Sequence, residues 1–316
     1  MNKKNMSKKN TKNLIFIADS NDYNANYIYN RAKEKGINSI FIDTKIFPLE
    51  YNSFLYLDNL ITKIKLDRYP EIDLNFSFFI RAIFINPFNP FNYSSDEKKF
   101  HSYRNYYSYL YSLVNIAKLN RAKVVNSPST FWIHFYKPYT YALAKKFNLK
   151  IPQTFVANKS REILKFYKEN KHKNLIIKPA AGGDLVRPLN EKELEKIIET
   201  LDYKIFIIQE KIEGQEIRVF VLGNKILVSL YLITPDLDYR EKQNIEDIKI
   251  IDITKKLENS IIKFSKFIGL EFCALDLKKS NDDYYFLDIN PAPMFVGFET
   301  RSGFPITDKI IQYLLK

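Results

Sequence analysis

Two carboxylates and one amide near the C-terminal end have the chemistry to hold a metal ion. Asp276 closes the apolar run Phe272–Leu275, and Asp288 and Asn290 come at the end of a second run, Tyr284–Leu287. Two antiparallel strands joined by the polar turn Lys278–Asp283 would bring the three side chains together. Residues two apart on a strand share a face, so Asp288 and Asn290 look the same way. Hard oxygen donors of this kind suit magnesium and leave positions open for phosphate oxygens. Taken alone, the same residues also fit an acidic hairpin facing water.

A second group lies near the middle of the chain. Gly182 and Gly183 are adjacent in a sequence with only eight glycines, and they follow Lys178 and the apolar Leu175–Ile177. Glycine N–H groups can wrap a polyphosphate, and a nearby ammonium offsets its charge. No Gly-Lys-Ser/Thr follows, so this is neither a P-loop nor a dinucleotide fingerprint, and an ordinary strand-to-helix turn reads the same way. Further on, the apolar Ile207-Ile208 runs into Gln209-Glu210-Lys211-Ile212, with Glu216 close behind. Such a segment can offer backbone groups to an adenine edge while Glu216 reaches a ribose hydroxyl. A solvated hairpin turn accounts for the charges as well.

These residues need elements to position them. Leu14–Ile17, a helix over Tyr27–Lys35 stopped by Gly36, and Ile40–Ile42 read as strand–helix–strand, which implies a parallel sheet. Phe76–Ile85 reads as a strand interrupted by Arg81, which suits either an acceptor carboxylate or a buried ion pair. Phe100–Leu119 reads as a long helix and Val124-Val125 as a short strand, with a boundary near Asn126-Ser127-Pro128. Lys137–Phe147, Arg161–Glu169 and Glu191–Thr200 read as helices; Thr154–Val156, Leu175–Ile177, Phe206–Gln209, Ile217–Leu222 and Ile226–Leu232 read as strands. Leu257, Ile261, Phe264 and Ile268 recur at helical spacing, so Thr254–Ile268 is an amphipathic helix ended by Gly269. Ile306–Leu315 is a terminal helix.

Composition bounds the rest. A chain of 316 residues with 46% hydrophobic content is globular and long enough for two or three domains. No apolar stretch approaches the ~18 residues of a membrane span, and Met1–Asn13 reads as a disordered basic tail rather than a signal peptide. A single cysteine, Cys273, excludes an internal disulfide, fits a reducing cytoplasm and reads as a small core residue. The net charge of +13 suits an acidic or phosphorylated substrate as well as nucleic acid. No His/Cys cluster suggests zinc.

In order, the motifs are a lysine, Lys-Pro with a glycine loop, Gln-Glu-Lys with a later glutamate, and Asp…Asp-x-Asn. That order resembles the ATP-grasp superfamily of carboxylate–amine ligases, in the branch of glutathione synthetase and the glutamate ligase of a ribosomal protein. The likeness runs from Asn126 to Pro293. It implies an α/β (α+β), three-domain ATP-grasp fold: an N-terminal parallel-sheet domain over 1–126, a central subdomain over 127–205 and a C-terminal subdomain over 206–316.

The resemblance also implies roles. Lys137 and Lys178 would contact ATP phosphates, and Gly182 and Gly183 would close over them. Gln209, Glu210, Lys211 and Ile212 would form the adenine hinge, Glu216 would bind ribose, and Asp276, Asp288 and Asn290 would hold Mg2+, with Mn2+ as an alternative. Arg218 and Arg240 would act in catalysis.

Two departures stand out. Asp238-Tyr239-Arg240 continues without the family's asparagine and paired glycine, and Asn290-Pro291-Ala292-Pro293 replaces Asn-x-Ser-Pro-Gly. They point to a peptide or bulkier acceptor. The expected reaction joins a small carboxylate and an amine, or a peptide, through an acyl phosphate, with homo-oligomers common in that branch. A maturase of a ribosomally made peptide and a non-catalytic basic binding protein are the alternatives. Nucleic acid is disfavoured because the aromatics sit in apolar runs rather than between lysines.

Overall fold

The computed structural model describes residues 13–46, 53–58, 61–66, 76–81, 95–181, 186–200, 205–234 and 245–316. It contains two compact units, Met1–Ser129 with Pro305–Lys316, and Thr130–Phe304. The basic tail expected over 1–13, apart from Asn13, lies outside the described residues, as do Gly182, Gly183 and Arg240.

In the first unit, β1 (Leu14–Ala18) is buried along its whole length, as a central strand of a parallel sheet must be. α1 (Tyr23–Glu34) starts a turn earlier than the apolar spacing predicts. The reason is Asp22, whose carboxylate accepts the Ala25 N–H at 2.9 Å and caps the helix. β2 (Ser39–Asp43) pairs with β1 in parallel. An antiparallel hairpin, β3 (Ser53–Asp58) with β4 (Ile61–Leu66), was not anticipated. β5 covers Ser77–Ile80, and residues 82–85 of the predicted strand lie outside the described residues; α2 (Asp96–Leu119) is capped by Ser95, and β6 (Val124–Val125) completes the sheet order β2-β1-β5-β6.

Arg81 is resolved as a structural ion pair. Its side chain is 8% exposed and its Nε lies 2.9 Å from Asp22 Oδ2. The final helix, Ile306–Leu315, clusters with this unit although the chain order places it in the C-terminal subdomain. Ile310, Ile311 and Leu314 are buried, Asp308 meets Arg31 at 2.9 Å, and Ser77 Oγ donates to the Leu314 carbonyl at 2.7 Å. Such contacts join residues more than two hundred positions apart, beyond any local pattern.

In the second unit a 3-10 helix leads into α3 (Lys137–Lys146), which carries Pro138 in its first turn. β7 (Thr154–Ala157), α4 (Ser160–Glu169), β8 (Leu175–Pro179), β9 (Arg187–Pro188), α5 (Glu191–Thr200) and β10 (Phe206–Glu210) follow. Their sheet runs β7-β10-β8-β9, so β10 belongs with the central strands and not with the segment after residue 205. β10 sends apolar side chains into a core on each of its faces. Phe206 and Ile208 pack into a core with Ile163 of α4 and Leu194 of α5, whereas Ile207 joins the larger core of Tyr141, Val219, Phe264 and Phe286.

The larger sheet runs β13-β12-β11-β14-β15. Its strands are β11 (Gln215–Leu222), β12 (Lys225–Ile233), β13 (Asp247–Ile251), β14 (Phe272–Ser280) and β15 (Asp283–Asn290). α6 (Lys255–Ile268) runs between capping Thr254 and left-handed Gly269, as its spacing predicts. β14 and β15 extend further than expected, so the turn shrinks to Asn281-Asp282 rather than Lys278–Asp283. α7 (Val296–Ser302) and then α8, the terminal helix Ile306–Leu315, close the chain.

Candidate active site

Antiparallel pairing sets Asp276 of β14 directly opposite Asp288 of β15, with a bulge beside Asp276. Asn290, two residues beyond Asp288, pairs with Ala274. The three metal-site candidates are therefore brought together as the spacing predicts. Asn290 Oδ1 also accepts the Ala292 N–H at 3.0 Å, which orients its carbonyl oxygen.

Each carboxylate is matched to a cation from another element. Lys137, at the first position of α3, is 7% exposed and reaches Asp288 Oδ2 at 2.5 Å. Arg218 of β11 lies opposite Asp276 in register, and its Nη1 donates to Asp276 Oδ1 at 2.7 Å. Its guanidinium carbon sits 5.3 Å from the Phe220 ring centroid and 4.8 Å from that of Phe298, so two ring faces hold a buried cation in place. Burial would raise the Asp288 carboxyl pKa. The ion pair with Lys137, with help from Lys178 and His134, outweighs burial and holds it below the usual carboxylate range. Burial, reinforced by Asp288, pushes the neighbouring Tyr141 phenol up, and its hydroxyl donates to the Leu287 carbonyl at 2.9 Å.

Lys178, at the end of β8, donates to Gln209 Oε1 at 3.1 Å and lies 5.3 Å from the centroid of the Tyr141 ring. Gln209 is fully buried. Lys211 gives its backbone N–H to the Asn174 carbonyl at 2.8 Å, and its ammonium pairs with Glu213 at 2.5 Å. Glu210 gives its N–H to Gln153, and Ile212 is half-buried just beyond. Glu216 is bound by Lys278 at 2.5 Å across the β11–β14 pair.

The segment after Asn290 packs inward. Phe295, Val296 and Phe298 are buried, with Phe295 against Phe272 and Phe298 against Phe220. These aromatics are core; Met294 among the apolar side chains there is largely exposed. Cys273 is also core, and burial pushes its thiol up. The sequence reading missed Thr154, which is hydrogen-bonded to Gln209; its place opposite Gln209 on β7 appears only once the strands are paired.

The donor set fits magnesium in its chemistry: two carboxylates and an amide oxygen, to which other oxygens would be added to complete the shell. Among the described residues no three His, Cys, Asp or Glu gather at a metal-binding spacing. A metal here would therefore draw its remaining ligands from an amide and from a bound phosphate. Also among the described residues, no helix is long and apolar enough to cross a membrane.

Comparison with known proteins fits this geometry. The chain is 28% identical over 186 residues to a probable alpha-L-glutamate ligase of Shewanella sp. strain W3-18-1, covering 55% of this chain and 61% of that protein. It is 26% identical over 203 residues to a glutamate–LysW ligase of Sulfolobus acidocaldarius, covering 60% of this chain and 72% of that one. The chain thus spans about three-fifths of the first relative's length. Among solved structures, the ATP-grasp ligase PsnB complexed with a minimal precursor superposes at a TM-score of 0.81, with 23% identity over 96% of this chain and 98% of that one. The macrocyclase MdnC of Microcystis aeruginosa, bound to its precursor peptide, gives 0.80 with 19% identity over 96% and 99%. These superpositions show the ATP-grasp fold. Residues 137–314, more than half of the chain and the whole stretch from the first lysine to the last helix, match the RimK-like ATP-grasp domain, and the chain belongs to that family.

Proposed function

We propose that this protein is an ATP-dependent carboxylate–amine ligase. The observation that carries the reading is the paired array Lys137–Asp288 and Arg218–Asp276 on adjoining elements, with Lys178 contributing to the same field. Two carboxylates and three cations around one spot suit a metal–polyphosphate complex. In the reaction, a carboxylate oxygen of one substrate attacks the γ-phosphorus of ATP, the β–γ bridging bond breaks and ADP leaves. The amine of the second substrate then attacks the acyl carbon, the C–N bond forms, phosphate departs and the amine gives up a proton.

Asp276, Asp288 and Asn290 would hold Mg2+, with Mn2+ as a substitute, and the metal would neutralise phosphate charge when bound. Lys137 and Lys178 bind phosphate oxygens and orient them, while Glu216 takes the ribose. Arg218, fixed between two rings, presents a preorganised positive charge to the acyl phosphate. Gly182 and Gly183 close over the phosphates and exclude water, and Arg240 meets the substrate.

For the acceptor we favour a peptide. The curated relatives are named as glutamate ligases, whereas the fold likeness that spans nearly the whole chain is to proteins solved with precursor peptides. The net charge of +13 favours an acidic one. A lone, buried cysteine suits the cytoplasm.

The test is thermal unfolding with Mg2+ and a non-hydrolysable ATP analogue. At ~100 times the dissociation constant, binding adds about 2.7 kcal/mol to the native state. Asp288→Ala removes that gain and ADP formation with it. A gain that persists in the variant refutes the metal assignment.

A further inference from the structure

We infer that Thr154 and Gln209 form a directional hydrogen-bond relay that aims the Lys178 ammonium at the nucleotide phosphates. The inference rests on the nucleotide reading of Lys178 above. It adds Thr154, which no part of that reading uses, and gives the Gln209 side chain a different task.

The relay follows from register. Gln209 of β10 pairs directly with Thr154 of β7, and Ile207, two residues earlier, pairs with Lys178 of β8. Alternation along β10 puts Thr154, Gln209 and Lys178 on one face of the sheet, the face of the larger core. There Lys178 Nζ donates to Gln209 Oε1 at 3.1 Å, and Gln209 Nε2 donates to Thr154 Oγ1 at 2.8 Å. Thr154 Oγ1 donates in turn to the Pro152 carbonyl at 2.8 Å.

The chain of donors has a fixed direction. A carbonyl oxygen can only accept, so the Thr154 proton is committed to Pro152, and toward Gln209 the hydroxyl acts as an acceptor. The amide must then turn its NH2 to Thr154 and its oxygen to Lys178. An ammonium has donors only, so this orientation attracts it and the flipped amide would repel it. Gln209 is fully buried, so an unfavourable orientation of its amide is costly there. Thr154 and Gln209 are thus positioning residues acting through Lys178, whose ammonium they hold on the side of Asp288 and Tyr141.

The decisive experiment compares ADP with adenosine, in the presence of Mg2+, by calorimetry on the full chain. Lys178 meets phosphate, so only ADP reports on it. Thr154→Val is isosteric and cannot accept from the amide. We expect ADP affinity to fall about tenfold, the scale of one hydrogen bond to a charged group, with adenosine affinity unchanged. Thr154→Ser restores the hydroxyl and should restore the preference for ADP. If Thr154→Val does not fold, Gln209→Met, which lacks the acceptor oxygen, should give the same selective loss. Full ADP preference in Thr154→Val, or an equal loss for both ligands, overturns the relay. A wild-type chain that binds ADP no better than adenosine overturns the nucleotide reading and the relay with it, and is told apart because no variant is needed to see it.

Discussion

The Arg218–Asp276 pair makes an asymmetric prediction. The two side chains are joined at 2.7 Å, but they are buried unequally, with 4% of Arg218 and 28% of Asp276 exposed. Removing one partner of a buried pair costs about 3–5 kcal/mol because a charge is left uncompensated. Asp276→Ala leaves the guanidinium in place between Phe220 and Phe298, where the ring faces recover part of the loss, so about 2–4 kcal/mol is expected. Arg218→Met fills the slot between the rings with an adaptable apolar chain and leaves a carboxylate that reaches water. Its cost should be nearer 1–2 kcal/mol. Added Mg2+ should recover stability in Arg218→Met more than in the wild type, since Asp276 and Asp288 then face each other with one cation fewer. Urea unfolding of both variants, with and without Mg2+, reads all three quantities from the midpoints. Equal losses, or a greater loss for Arg218→Met, would refute the claim that burial asymmetry governs the pair.

Three further outcomes can be checked. Gly214 has φ +147°, and a Cβ there would lie 2.0 Å from the Lys279 carbonyl oxygen, so Gly214→Ala should cost at least about 2 kcal/mol by urea titration. Near-wild-type stability would contradict the close approach of the two backbones. The depressed Asp288 carboxyl contributes stability above its unfolded value of about 4, lost only as pH falls through its lower folded value. Lys137→Met leaves burial to dominate, so the acid loss of Mg2+-nucleotide stabilisation should move to higher pH; an unmoved acid limb would contradict the pairing. In the first unit, Asp22→Asn keeps an acceptor for the Ala25 N–H but loses the ion pair with Arg81, and Asp22→Ala loses both. The two unfolding energies should differ by about 1 kcal/mol, the worth of the cap.

Much of the site was legible because its residues sit on strands whose alternation can be read directly. Asp276 sits midway along β14 and Asp288 and Asn290 lie near the end of β15, and one short turn brings them together. Lys178 and Glu216 are picked out by the order of motifs, and their roles remain proposals. What escaped was anything requiring strand order: that Arg218 faces Asp276, that β10 lies between β7 and β8, and that Thr154 meets Gln209. The place of the aromatics after Asn290 was not legible, because a hydrophobic residue near a site reads alike whether it lines the cleft or fills the core behind it. Burial of Phe295 and Phe298 decides for the core. Helix starts were misjudged where a cap came before the first apolar residue, as at Asp22 and Ser95.

Strand β10, with each face sunk in a different core, has little freedom to drift. A substitution on most strands must satisfy one set of neighbours. At Ile207 and Ile208, successive positions answer to separate sets, and a shift of the backbone that relieves one core intrudes on the other. Paired changes confined to α4 and α5 are therefore unable to retune this strand independently of the large sheet. Over evolutionary time the segment should vary less than its flanks, and a laboratory library diversified there should yield few folded members.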